Sequence, residues 1–381
     1  MSINQFNHIS IKGYRRLESV DVQMRPLTVM IGANGVGKTA FLEVFSLLAA
    51  SANGQLASQL SELGGISDIL TLDRAESLTF EVSMDVPECV PIDYTLHLDL
   101  KGQAYDISTE TLVQEHQYID RHGLSVNYYD VLNKKFTQLE QTPLRFETFL
   151  SQLPNMFTVP ENFRSQLAQA THYSAYALNV GSKSPLRLPQ KMQPTESPGK
   201  KGEYLVSYLY YLRETDKPRF EMVEDSLKAA FPSFNGLSFP PVAAGMLALS
   251  WHDKNFSTPL YMHQLSEGTL RFIWLATLLQ SRDLTAITLI DEPEVSVHPE
   301  LLNLLSKLLR EASEHSQLIV ATHSDRLIGF LEPHEVLVMD ADEDGLTTMT
   351  WADDDEFDLG LWLSDYSLDE LWRMGCMGGR A

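Results

Sequence analysis

Apolar positions along this chain follow two rhythms. Near the start, apolar and polar residues alternate through His8–Ile11 and again through Ser19–Gln23, with Gly13 between them, and Leu27–Ile31 is an almost unbroken apolar run. This spacing predicts two short strands joined by a turn, then a third, apolar strand that ends at a glycine. From Lys38 to Ala50 the apolar residues Phe41, Leu42, Val44, Phe45, Leu47 and Leu48 recur at helical spacing without a proline. A strand therefore runs through a glycine-rich loop into a helix. Residues 77 to 132 alternate again, as in Leu78–Val82 and Tyr94–Leu100, and predict an antiparallel accessory sheet.

The stretch from Ser182 to Gly202 breaks the rhythm with Pro185, Pro189, Pro194 and Pro198 and with Lys183, Arg187, Lys191, Lys200 and Lys201. A mobile basic loop is expected there. Helices follow over Glu203–Arg213 and Glu221–Phe231. After Gly236 the pattern becomes regular: a helix Gly268–Gln280, a strand Ala286–Ile290, a helix Pro299–Ser313, then strands Gln317–Ala321 and Glu335–Met339. Strands alternating with helices imply a largely parallel sheet covered on both faces. Neither internal repeats nor sustained heptads occur, which excludes a long coiled coil. The chain divides into a first part, 1–132, an inserted lobe, 133–235, with the basic loop 182–202, and a second part, 236–381.

Composition narrows the partners. The 381 residues are 44% hydrophobic and 21% charged, an ordinary globular balance. The longest apolar stretch, Leu270 to Leu279, is interrupted by Arg271 and falls short of the roughly 20 residues of a membrane span. With no secretory leader pattern at the start, the expectation is a cytoplasmic protein without a membrane partner. Cys89 and Cys376 have no partner spacing for a disulfide or a zinc site. The net charge of −22 argues against general binding of nucleic acid. From Asp340 onward there are 12 acids against Arg373 and Arg380, so the C-terminal segment is either a solvated acidic surface or a dock for a basic partner.

Candidate chemistry sits at two strand ends. Gly32-Ala33-Asn34-Gly35-Val36-Gly37-Lys38-Thr39 fits GxxxxGK[ST], between a strand and a helix as that pattern requires, and Ala40 follows it. The bare pattern arises by chance in about one chain of this length per hundred, and the flanking elements lower that further. Its glycines let backbone N–H groups curl around phosphate oxygens, Lys38 offsets the β/γ charge, and the Thr39 hydroxyl can ligate Mg2+. The second element is Ile287-Thr288-Leu289-Ile290-Asp291-Glu292, an apolar strand ending in two carboxylates. In a phosphate-loop protein Asp291 would hold Mg2+ and Glu292 would polarise the attacking water.

Leu265-Ser266-Glu267-Gly268-Thr269 opens a helix before that strand, Glu294-Val295-Ser296-Val297-His298-Pro299 follows it, and Ala321-Thr322-His323-Ser324 ends the next strand. This order resembles ATP-binding-cassette ATPases of the SMC/RecF branch, and most of all the bacterial AAA_21 "predicted ATPases" related to the ATPase part of OLD-family nucleases. The GYRRL turn near Gly13, LGGISDIL at Leu63–Leu70 and the closing LDELWRMGCMGG are similar to that group as well. The resemblance implies an α/β, P-loop head of ABC/SMC type with an N-terminal antiparallel β subdomain and a partly helical insertion. It implies ATP and Mg2+ as cofactors, and a head-to-tail homodimer, or a higher even-numbered oligomer, in which Ser266 and Gly268 complete the ATP site of the other copy. His323 resembles the switch histidine that senses the γ-phosphate, residues 294 to 299 resemble the D-loop along the dimer seam, and Arg15 sits, with Arg16, where relatives place a basic residue near the nucleotide. Two features depart from the pattern: Glu267 stands where transporter cassettes carry glycine, and no Q-loop glutamine is assignable, Gln55 and Gln59 lying where no strand clearly ends.

The resemblance implies an ATPase acting as sensor and scaffold for a separate nuclease or TOPRIM-like effector in bacterial antiphage defence. Four rivals stand beside it, one of them a non-hydrolysing binding module, against which the intact Glu292 argues. A transporter cassette would need a membrane partner, and a RecF-type repair ATPase would need a basic DNA face. An OLD-like nuclease could use Asp340 and Asp342, where the strand Val336–Met339 ends in DxD; the competing reading is a hairpin, with Asp344-Gly345 as its turn and Leu346–Trp351 as its second strand.

Overall fold

The computed structural model describes residues 4–131, 134–139, 142–153, 157–175, 177–178, 180–282, 284–357 and 366–377. Its centre is a six-stranded sheet in the order Thr171–Ser174, Ile287–Asp291, Gln317–Thr322, Leu27–Ile31, Val336–Ala341 and Thr347–Trp351. The first five strands are parallel and the last is antiparallel to its neighbour. Leu27–Ile31 and Gln317–Thr322 are buried at every position, which is why they read as continuous apolar runs.

The two faces of this sheet bury different elements. Val29, Ile31, Val320 and Val338 pack with the helices Glu267–Leu279 and Leu302–Ser313. Met30, Ile319, Leu337 and Met339 pack with the phosphate-loop helix Lys38–Ala52 and, beyond it, with a second sheet. That second sheet has eight antiparallel strands in the order Leu17–Gln23, Gln5–Tyr14, Ser77–Asp85, Ile92–Lys101, Ala104–Val113, Gln117–His122, Ser125–Asp130 and Lys135–Gln138. In Ser77–Asp85 every second residue is buried, so the alternation seen in the sequence is the alternation of a sheet with one covered face. Burying such a face contributes roughly 25 cal/mol per Å2 of apolar surface.

The region expected as an inserted lobe contributes directly to the head. Thr171–Ser174 forms the edge of the central sheet, and the helices Leu205–Thr215 and Lys217–Ala230 share one apolar cluster with the helix Glu267–Leu279. The basic stretch expected as a mobile loop is tied down. Leu186 is buried, Gln190 bonds to Gly202 O and to the Val206 N–H, and Arg187 donates to the carbonyls of Val180, His263 and Leu265. Arg187 thereby fastens this stretch to the residues just before Ser266.

The C-terminal DxD strand turns back as a hairpin, with Asp340 opposite Thr348. Asp342 Oδ1 accepts the N–H groups of Asp344 and Leu346, so this carboxylate is used in closing the turn. Among the described residues no helix is long and apolar enough to cross a membrane.

Candidate functional site

The strand order sets the site. Leu27–Ile31 and Ile287–Asp291 flank Gln317–Thr322 in register, with Asp291 opposite Ala321 and Thr322 opposite Ile31. The phosphate loop, the acidic pair and His323 therefore leave the carboxyl edge of the sheet side by side, where ligands of open α/β sheets bind.

Gly32 leaves its strand so close to the neighbouring one that a Cβ would lie 2.2 Å from Met339 O, a distance that only glycine permits. Gly37, with φ of 108°, precedes the helix, whose N-terminus carries no side-chain cap. Its first N–H groups are open to an anion. The buried Lys38 Nζ donates to Gly32 O at 2.6 Å and to Ala33 O at 2.9 Å. Burial pushes its ammonium down to about 8, against the opposing pull of Glu292, Asp291 and Glu294. Gly35, Gly37, Lys38, Thr39 and Ala40 line a cleft of about 310 Å3 together with Arg15, Arg16 and His323. Asn34 is exposed at the loop tip, and Val36 is buried beneath it.

Opposite the loop, burial and the neighbouring Glu292 and Glu294 push the Asp291 carboxyl up to about 6, with Lys38 opposing them. A half-buried carboxyl raised in this way fits a divalent cation, whose charge would restore its ionised form. Glu292 takes a positive φ of 52°, uncommon for a non-glycine residue, while its N–H donates to Ala321 O at 2.8 Å. His323 Nε2 lies 3.3 Å from Glu292 Oε1. Burial and Lys38 hold the imidazole below its ordinary value, and Glu292 opposes them. Arg15 reaches the cleft from a positive-φ turn and pairs with Glu43 at 3.0 Å.

Residues 27–329 match the family described as "AAA domain, putative AbiEii toxin, Type IV TA system" (AAA_21). The chain belongs to this family. An OLD nuclease of Thermus scotoductus is 22% identical over 351 residues, which are 83% of this chain and 58% of that protein. This chain thus spans little more than half the length of that relative. Among solved structures, the SMC head bound to the C-terminal winged-helix domain of ScpA is 13% identical with a TM-score of 0.54, covering 91% of this chain and 97% of the other. An Smc head with an extended coiled coil, bound to the C-terminal domain of ScpA derived from Pyrococcus furiosus, is 12% identical with a TM-score of 0.51, covering 98% of each chain. The fold is therefore that of an SMC-type ATPase head, as the motif order implied.

In this AAA_21 chain Ser266 and Gly268 stand apart from the cleft. Neither lines it; they open the helix Glu267–Leu279, where Ser266 is exposed and its hydroxyl accepts the Thr269 N–H at 3.1 Å. Glu267, the departure from glycine, has a structural task. Its Oε1 accepts the Ser296 hydroxyl at 3.2 Å and pairs with the buried Arg271 at 2.9 Å, while Arg271 also donates to Ala175 O.

Sequence reading left three contributors without individual roles. Thr347, on the last strand, donates to Val36 O inside the phosphate loop. Arg271 was read only as an interruption of an apolar helix. Glu294 was one of six residues in the D-loop stretch, although an acid two positions beyond Asp291-Glu292 was a signal available in the sequence.

Proposed function

We propose that this protein is an Mg2+-dependent ATPase switch that closes head-to-tail with a second copy around ATP and governs a separate effector in bacterial antiphage defence. The observation that carries the reading is the convergence of Lys38, Thr39, Asp291, Glu292 and His323 on one sheet edge. The phosphate-loop N–H groups and Lys38 hold the phosphates, and Thr39 and Asp291 would ligate Mg2+, which would supply charge neutralisation there. Glu292 accepts the proton of the attacking water, and His323, beside it, senses the terminal phosphate. Hydrolysis yields ADP and phosphate.

The exposed Ser266 and the half-buried Gly268, neither of which lines this chain's own cleft, support closure in trans. A helix N-terminus suits the γ-phosphate of a partner's ATP. The defence role rests on family membership and on the OLD nuclease relative. The Asp342 hydrogen bonds that close the hairpin turn count against a nuclease metal pair at Asp340 and Asp342.

The test is the mass of Glu292→Gln by light scattering, with and without Mg2+-ATP, beside ATP turnover by the wild type and by Lys38→Ala. An ATP-dependent shift to an even-numbered assembly and turnover abolished by Lys38→Ala are expected. A wild type that releases no phosphate above Lys38→Ala sinks the hydrolysis reading. For the effector, purification with the products of neighbouring genes should retain a stable complex, and none with any of them would end the scaffold reading.

A further inference from the structure

Two residues beyond Glu292 a second carboxylate is drawn into the protein. Glu294 Oε1 accepts the Thr322 hydroxyl at 2.6 Å and the His323 backbone N–H at 3.1 Å. Thr322 Oγ1 in turn accepts the Ser324 N–H at 2.9 Å, so the turn after the switch strand is built around this carboxylate. The other oxygen, Oε2, is shielded from solvent and has no hydrogen-bond partner among the described residues. Two positions further, Ser296 works toward a different element. Its hydroxyl donates to Glu267, and its carbonyl lies where a Cβ on Gly268 would be 2.5 Å away. One short turn therefore grips the switch strand through Glu294 and the signature-like helix through Ser296.

We propose that Glu294 is a positioning residue that fixes His323 against Glu292 and couples the switch histidine to the position of the 294–296 turn. This rests on the reading of Glu292 and His323 as the hydrolytic pair. The bonds to Thr322 and His323 are made to a carboxylate, the stronger class of acceptor, and both hold the segment that carries the imidazole. A shift of the turn loosens them and frees His323 Nε2 from its 3.3 Å approach to Glu292. Since Ser296 and Gly268 are in contact, closure of a partner onto the signature-like helix would move the same turn. Each protomer would then register at its own switch histidine what happens at its trans-facing surface.

The arrangement is not one that stability favours. Burial raises the Glu294 carboxyl above its ordinary value, and one of its oxygens is left unpaired, so the ionised side chain is costly where it stands. Glu294 is also absent from the lining of the cleft. Its removal should therefore alter turnover more than nucleotide binding or thermal stability.

The experiment compares Glu294→Ala, Glu294→Gln and Thr322→Val with the wild-type full chain, in ATP turnover, melting temperature and the His323 imidazole resonance of histidine-labelled protein, since the amide would shift on losing its own bond to Glu294. Glu294→Ala is expected to lower kcat about 30-fold with KM within about twofold. Its melting temperature should fall only slightly, because the cost of the donors it strands is largely offset by removal of the buried carboxylate, and the His323 resonance should shift. Glu294→Gln keeps an acceptor oxygen and should stay within about threefold of wild-type kcat, while Thr322→Val, losing one of the two bonds, should fall between them. Wild-type kcat in Glu294→Ala, an equal loss in Glu294→Gln, or an unmoved His323 resonance would each overturn the proposal. If the wild type itself proves not to hydrolyse ATP, the resonance still decides: a shift in Glu294→Ala upholds the positioning role, and an unchanged resonance ends it. Should Glu294→Ala fail to fold, Thr322→Val carries the same comparison.

Discussion

Thr347 donates its hydroxyl to the carbonyl of Val36 at 2.6 Å, joining two residues 311 positions apart. The same threonine gives its backbone N–H to Arg16 O at 3.0 Å. The C-terminal hairpin thus pins both the phosphate loop and the Arg15-Arg16 turn that borders the cleft. The loop's curl is set from outside as well as by its own glycines.

Thr347→Val keeps the shape and removes the bond. It leaves the Val36 carbonyl buried without that donor, a loss of about 1–3 kcal/mol that falls on the loop. Nucleotide affinity by calorimetry should drop about fivefold or more. Affinity equal to the wild type would show that the hairpin only covers the loop.

Gly268→Ala probes the contact between the helix Glu267–Leu279 and the 294–296 turn. The new Cβ would meet the Ser296 carbonyl at 2.5 Å, and this is backbone that cannot swing aside. Nucleotide binding to the isolated protomer should survive because Gly268 does not line the cleft. ATP-dependent assembly, read by light scattering in the Glu292→Gln background, should be lost. Retained assembly would remove Gly268 from the interface.

Much of this architecture was legible where one physical signal dominated. Leu27–Ile31 and Gln317–Thr322 are buried on both faces, so their apolar runs marked them as strands. The phosphate loop was legible because glycines and a Lys-Thr pair at that spacing have few other uses, and the Asp291-Glu292 pair, common by itself, became legible beside it. Thr171–Ser174 was not, since four residues with one buried side chain carry no usable period, and its place comes from pairing with Ile287–Asp291. The stretch 182–202 read as mobile because its composition is polar and proline-rich, yet Leu186, Gln190 and Arg187 anchor it through carbonyls that no local pattern reveals. The task of Thr347 depends on a contact between distant segments and was invisible for the same reason, whereas Glu294 stood out as an acid beside the pair and only its bonds to Thr322 and His323 were hidden.

Glu110 joins the accessory sheet to the segment beside the phosphate-loop helix. Fully buried, it accepts the Phe149 N–H at 2.6 Å, the Leu150 N–H at 2.8 Å and the Tyr94 hydroxyl at 3.1 Å, with Arg121 3.7 Å away. The adjoining Thr148 donates to Ser51 O at the end of the phosphate-loop helix. Glu110→Ala would strand these donors and a buried guanidinium, at about 3–5 kcal/mol. Urea unfolding should show that loss as a lower midpoint, and a change under about 1 kcal/mol would mean that the donors find other acceptors.

The ion pair of Glu335 with Arg310 gives the chain a defined acid sensitivity. Glu335 is buried and accepts both Arg310 Nε at 2.6 Å and Nη2 at 2.7 Å, while Arg310 is partly exposed. Burial alone would raise the carboxyl, but the bonds from Arg310 and from the Glu332 N–H outweigh it and hold Glu335 below its ordinary value of 4.5. A carboxyl whose value is depressed on folding contributes stability that is complete above the unfolded value and disappears as the pH falls through the lower, folded one. Glu335→Gln should therefore melt about 2–5 °C below the wild type near pH 7. The gap should narrow below 4.5, as the wild-type carboxyl takes up its proton and becomes a neutral acceptor like glutamine. Melting curves of both proteins across that range check the sign: a gap that stays constant into acid would assign the effect to packing, and one that widens would contradict the depressed value.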